Sequence, residues 1–278
     1  MFSLTVKNKY GKEMSLTQNP SYCVYDIDGL SPPDATINTT KTVATDGSLF
    51  NSSYLNNRQI IITMTIESPT EDGRTKLYDF FQSKAPVTLF FENEIYDVKI
   101  DGFVQNIAIG FFQKKQTAQI TVVCPDPYFH DVKTEHVILK NVDDMFEFPF
   151  DITNDGIEFS EISTEAKTVI NKSQVEVGAV FNFFAKQNME NPMITLQESS
   201  EFIGFSINME MGQHISVCTI PKKKKAVLIG ANGEESNVIG SLIEGSTWLK
   251  LRPGLNTFTL SSDAFYVDIE FNELYQGV

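Results

Sequence analysis

The sequence predicts a mainly β protein of two domains. The first is an α+β domain of antiparallel strands with one helix, and the second is an all-β sandwich or jelly roll. Three observations carry this. In Arg58–Glu67, Ile60, Ile62, Met64 and Ile66 alternate with Ile61, Thr63 and Thr65, the period of a half-buried strand. Only one stretch, just after it, has the three-and-four spacing of a helix. Beyond residue 130, short β-rich runs recur between turn signals and no helical pattern reaches three turns.

In chain order, Phe2–Val6 and Glu13–Leu16 read as strands joined at Asn8-Lys9-Tyr10-Gly11. Tyr22–Tyr25 is a third strand, turned by Asp28-Gly29. Pro32-Pro33 bars immediate pairing, and Ala35–Thr39 is extended again. Lys41–Asn57 is long and polar, with Val43, Leu49, Phe50 and Leu55 as its apolar residues. A connection of this length is either disordered or functional. The Leu49-Phe50 pair favours an arm that packs on something, and Asp46-Gly47 suits the turn of an extended hairpin.

For the helix, Ser68 is the expected N-cap, Pro69 the first helical residue and Glu71 the partner in a capping box. Leu77, Phe80, Phe81 and Lys84 form its stripe, and Pro86 stops it. Val87–Phe91, Ile95–Ile100, Gly102–Ile109 and Gln116–Val123 are four further strands, with turns or bulges at Asn93-Glu94 and Asp101-Gly102.

Cys124-Pro125-Asp126-Pro127-Tyr128-Phe129 then breaks the pattern. Pro125 and Pro127 fix φ and remove two backbone donors, so no element runs through. Tyr128 and Phe129 suit an exit pinned to a domain surface, so the six residues read as a stiff hinge between domains 1–130 and 131–278. In the second domain the expected strands are Phe146–Ile152, Glu165–Ile170, Val175–Ala185, Met193–Glu198, Phe202–Met209, His214–Ile220, Ala226–Ile229, Trp248–Leu251, Asn256–Ser261 and Ala264–Phe271. Asn154-Asp155-Gly156, Asn232-Gly233 and Pro253-Gly254 punctuate them.

Composition narrows the function classes. The chain has 278 residues, 41% hydrophobic and 21% charged, as soluble globular proteins do. Its net charge is −14, of which residues 131–278 carry −11. That balance argues against nucleic acid and anionic membranes as partners. Cys23, Cys124 and Cys218 are too scattered for a disulfide framework and fit a reducing compartment. Met1-Phe2-Ser3-Leu4-Thr5-Val6 lacks the features of a signal peptide.

No catalytic, cofactor or metal site is expected. His130, His136 and His214 have no partners at metal-ligand spacing, and Cys124 reads as a small buried apolar residue. Asp26-Ile27-Asp28-Gly29 starts like a calcium loop but lacks its closing glutamate, so it reads as a turn. Lys222-Lys223-Lys224-Lys225 reads as a solvated hairpin tip.

Gly29-Leu30-Ser31-Pro32-Pro33, Asp46-Gly47-Ser48-Leu49-Phe50-Asn51-Ser52-Ser53 and Arg58 opening a strand resemble the N-terminal half of the siphophage distal tail protein (Dit) family. Phe111–Gln116 and the Cys-Pro-Asp-Pro-Tyr-Phe run are similar to the end of that half, and Trp248–Asn256 resembles a strand–turn–strand of the second half. Tyr54 stands where the family pattern has a basic residue.

The resemblance implies a homo-hexameric ring at the virion tail tip, assembled in the host cytoplasm. It implies the tail tube protein and the hub or tail-associated lysin protein as partners, and receptor-binding or baseplate proteins besides. It further implies a ring-forming first domain whose arm reaches a neighbour, and a peripheral galectin-like second domain. Asp46, Gly47, Leu49, Phe50, Asn51, Ser52, Ser53 and Arg58 become candidate intersubunit contacts, Arg58 toward a neighbour's Glu71-Asp72. The alternatives are a carbohydrate-binding module, for which Trp248 is the one tryptophan, and, more remotely, a hydrolase.

Overall fold

Residues Arg58–Ile66 form the strand that the alternation predicts, with Arg58, Ile60, Ile62, Met64 and Ile66 all buried. The computed structural model describes residues 2–43, 46–67, 69–111, 115–140, 142–144, 160–162 and 167–278. Two compact units divide them: one runs to Val132 and takes back Leu274–Val278, the other is Lys133–Glu273. The five C-terminal residues thus lie in the first unit, although the sequence reading places them with 131–278.

The strands of the first unit are β1 Ser3–Asn8, β2 Glu13–Ser15, β3 Tyr22–Asp28, β4 Ala35–Thr40, β5 Leu49–Leu55, β6 Arg58–Ile66, β7 Pro86–Glu92, β8 Asp97–Ile109, β9 Gln116–Cys124 and β10 Phe129–Asp131, with helix α1 at Thr70–Phe80. An antiparallel sheet runs β2-β1-β7-β8-β9-β6-β3. Its core holds Leu4, Ile62, Leu89, Phe91 and Ile120, with Leu77 and Phe80 from α1.

The helix starts one residue later than expected. Pro69 stands at its N-cap with no side-chain cap, and Ser68 lies outside the described residues. Glu71 reaches forward to Arg74 instead of closing a capping box. The helix ends at Phe80, and Pro86 opens β7 rather than stopping α1. Gly73 lets the helix approach the sheet closely: a Cβ there would lie 2.7 Å from Ile66 Cγ2.

The two strands expected on either side of Asp101-Gly102 are one, β8. No turn forms at Gly102, because its missing side chain serves packing: a Cβ would lie 2.6 Å from Val122 Cγ1 and 2.8 Å from Cys124 Sγ. A bulge in β8 between Val104 and Asn106 adjusts the register against β9.

The second unit contains β11 Glu135–Leu139, β12 Val142–Asp144, β13 Ser160–Ile162, β14 Lys167–Asn171, β15 Val177–Gly178, β16 Val180–Ala185, β17 Met189–Glu190, β18 Met193–Leu196 and β19 Glu201–Gly204. It continues with β20 Asn208–Met209, β21 His214–Cys218, β22 Lys225–Ile229, β23 Glu235–Asn237, β24 Lys250–Leu251, β25 Gly254–Leu260 and β26 Phe265–Phe271. The expected strand Phe146–Ile152 and the turn at Asn154-Asp155-Gly156 lie outside the described residues, as does part of Glu165–Ile170.

Two antiparallel sheets, β11-β26-β16-β21-β22-β23 and β14-β25-β18-β19, make the expected sandwich. Phe181 of the first sheet meets Phe258 of the second edge to face at 6.1 Å, and Phe183 packs with Phe205 and Phe265. Rings of this size, fully buried, account for the high Phe content. Asn256 holds the turn before β25: its Nδ2 donates to the Arg252 and Gly254 carbonyls, and its Oδ1 accepts from Arg252 N at 2.8 Å.

The last strand, β27 Leu274–Tyr275, pairs antiparallel with β10, Phe129 opposite Tyr275. The sandwich is therefore an insertion between two neighbouring strands of the first unit.

Candidate intersubunit arm and the arginine at its base

The polar stretch that the sequence marks as an arm is longer than 41–57. It begins at Ala35 and forms a two-stranded hairpin of β4 and β5, outside the main sheet. Ala35 faces Leu55, and Asn56 N donates to Asp34 O at 3.1 Å to close the base. Asp46 and Gly47 fall in the tip loop, where Gly47 adopts φ +92°.

Side chains tie the two strands together along one face. Asn38 Nδ2 donates to Ser52 Oγ at 3.0 Å, Asn51 Nδ2 to Thr40 Oγ1 at 2.7 Å, and Thr36 Oγ1 to Asn56 Oδ1 at 3.0 Å. A bulge falls at Asn51, because Asn38 faces Ser52 while Thr39 faces Phe50. Facing residues share a side of an antiparallel ribbon. Phe50 therefore joins Ile37, Thr39 and Ser53, where unbroken alternation would place it with Ser52 and Tyr54.

The apolar residues of the hairpin are largely in water. Leu49 and Phe50 are each 64% exposed, and Ile37, Val43 and Tyr54 are exposed too. Burying Leu49 and Phe50 would be worth on the order of 3–6 kcal/mol. An isolated two-stranded ribbon is marginally stable on its own, so this one calls for a surface to lie on.

Arg58 does not reach outward. It is 2% exposed and sits at the centre of a cluster of backbone carbonyls. Its Nε donates to Pro127 O at 2.8 Å, one terminal nitrogen to Gly29 O and Ser31 O at 2.5 and 2.7 Å, and the other to Gln276 O at 2.5 Å. The guanidinium also lies 4.4 Å over the Phe129 ring. Burial lowers its pKa from the ordinary value.

The expected pairing of Arg58 with a neighbour's acids is thus corrected. It donates four hydrogen bonds inside the unit, Glu71 pairs with Arg74, and Asp72 pairs with Lys76 at 2.7 Å. The carbonyls it serves come from turn and proline-rich segments that no sheet ladder satisfies.

The hinge is anchored through Phe129, which is fully buried edge-on against Phe91 at 5.6 Å. Tyr128 is half-buried, and its N–H donates to Asp126 Oδ1 at 3.2 Å. Pro125 and Pro127 bracket that turn. Burial pushes the Cys124 thiol up to about 12, which keeps it protonated and a poor nucleophile.

His130 pairs with Asp126 at 3.0 Å, and His214 stacks on Phe184. Asp28-Gly29 is a turn, with Gly29 N donating to Asp28 Oδ1 at 2.7 Å. Trp248 is half-buried, with the Lys224 ammonium 5.3 Å from its ring centroid.

Comparisons with known proteins bear on both units. Residues 9–124 match the family model for the phage tail protein RIFT-related domain, and residues 172–275 the model for the C-terminal domain of the siphovirus-type tail component. In structure the chain is similar to SPP1 Dit, a paradigm of hub adsorption apparatus in Gram-positive infecting phages. That match has 13% identity, 99% of each chain covered and a TM-score of 0.72. It is also similar to a chain of the phage P2 baseplate in its activated conformation with Ca, at 12% identity, 100% of each chain covered and a TM-score of 0.50. No curated protein matches the chain in sequence.

Proposed function

The chain belongs to the siphophage distal tail protein family, and on that premise we propose that it builds a homo-hexameric ring at the tail tip. The ring joins the tail tube protein to the hub or tail-associated lysin protein, with receptor-binding or baseplate proteins as further contacts. Copies assemble in the host cytoplasm. The role is structural, and the number six rests on the family alone.

The observation that carries this reading is the β4–β5 hairpin with its exposed Ile37, Leu49, Phe50 and Tyr54. The outer edge of β3 supplies a second support, since its only ladder among the described residues is with β6. An arm laid on such an edge of the next copy adds a strand to its sheet. Arm to edge is a heterologous contact, which propagates until rotation closes it.

The test replaces Thr36–Tyr54 with a short Gly-Ser bridge and measures mass by light scattering and native mass spectrometry. The intact chain is expected as a hexamer. The shortened chain is expected as a monomer with unchanged β signal in circular dichroism. A shortened chain that still forms the same ring, or an intact chain that stays monomeric at high concentration, would sink the proposal.

We also propose that the two units fold independently. Residues 133–273 expressed alone are expected to give a soluble monomer with one cooperative unfolding transition. A molten product, where the full chain is stable, counts against it.

A further inference from the structure

On the outward face of the six-stranded sheet, residues 132 and 134 positions apart in sequence come together. His136 of β11 stands directly opposite Glu270 of β26. Asp268 lies two residues earlier on β26, on the same face, and is flanked by Asn182 of β16. His136, Asp268 and Glu270 each offer a ligand atom, all within 4.8 Å of one another. His136 Nδ1 is 3.8 Å from Asp268 Oδ2.

Two features set this cluster apart from an ordinary acidic surface. Asp268 Oδ1 is buried and has no hydrogen-bond partner. A buried carboxylate oxygen left unpaired is costly, and here a second carboxylate beside it adds like-charge repulsion. His136 is a basic neighbour of both acids. In addition, Glu270 is held in place: the buried Asn182 donates Nδ2 to Glu270 Oε1 at 2.8 Å, which leaves Oε2 for another partner. Metal-ligating carboxylates are commonly steadied by such outer hydrogen bonds.

We propose that His136, Asp268 and Glu270 bind one divalent transition-metal ion of the zinc class. One imidazole and two carboxylates form a three-ligand N,O,O set that leaves a position for water. Tetrahedral ligands at about 2.0–2.1 Å from zinc lie roughly 3.4 Å from one another, so a small closure of the present spacing suffices. His136 is exposed and free to turn its ring inward. The ion would neutralise the paired acids. Calcium and magnesium are disfavoured, since the set has a nitrogen donor and too few oxygens.

The full chain, stripped with EDTA and dialysed, is titrated with Zn²⁺ by calorimetry and with Co²⁺ by absorbance. One ion per chain is expected, with a raised melting temperature for the sandwich. His136→Gln, Asp268→Asn and Glu270→Gln should each weaken binding at least ten-fold, and His130→Gln should leave it unchanged. His136→Gln changes only an exposed side chain, so its fold is secure, and its loss of Zn²⁺ binding decides the matter. Absence of stoichiometric binding, or stoichiometric Zn²⁺ binding that survives His136→Gln, overturns the site. Ca²⁺ binding preferred over Zn²⁺ overturns the assigned ion class.

Discussion

Arg58→Ala is expected to destabilise the first unit by at least about 4 kcal/mol. The arginine supplies donors to four carbonyls from three separate segments: the turn after β3, the hinge, and the returning C-terminal residues. Each buried acceptor left unpaired costs roughly 1–3 kcal/mol, offset where water enters the space. Loss of the guanidinium over Phe129 adds to this. Arg58→Lys is expected to recover less than half, because a single ammonium has three donors and cannot span a planar fork of carbonyls. Scanning calorimetry of the full chain provides the measurement. The transition of the first unit should fall by more than about 10 °C while that of the sandwich stays put. A fall of only a few degrees would mean that the carbonyls find other partners.

Gly29→Ala is expected to cost about 3–5 kcal/mol. Gly29 has φ +91°, and a Cβ built there would stand 2.1 Å from Gln59 O, an atom of the neighbouring β6 backbone that cannot move aside cheaply. Its own carbonyl accepts from Arg58, so any shift also loosens that bond. Gly47→Ala is the control: φ is +92°, but nothing lies within 4 Å of the added carbon. It should cost only the conformational strain of about 1–2 kcal/mol. Equal losses at the two positions would refute the steric account. Combining Gly29→Ala with Arg58→Ala should give less than the sum, because the two share one contact.

The parts of this fold legible in the sequence are those that repeat a local period. The β6 alternation, the β1–β2 hairpin and the Leu77–Phe80 face of α1 follow from it. The inward phase of β6 even contains the clue to Arg58, since residue 58 shares parity with Ile60, Ile62 and Met64. A charged side chain in that phase must find partners inside, yet a charge at the base of an arm invites an outward reading. Gly102 misled for a different reason: a glycine needed for close packing is indistinguishable in sequence from one needed for a turn. The arm was visible by its length and polarity. Its start at Ala35 and its bulge at Asn51 depend on pairing that no local signal sets. Strands as short as β10 and β27 carry no period at all. The cluster of His136 with Asp268 and Glu270 exists only because β11 lies beside β26.

The pairing of β27 with β10 also imposes an order in time. A ribosome delivers Phe129–Asp131 long before Leu274–Tyr275, with the whole sandwich translated in between. At roughly 5–20 residues per second, that interval is on the order of ten seconds. Throughout it Arg58 lacks its acceptor at Gln276, and β10 has no β27 beside it. The first half of the chain to emerge is thus the last to be finished. A nascent chain cut short anywhere in the sandwich leaves that half unlocked and exposed to proteolysis.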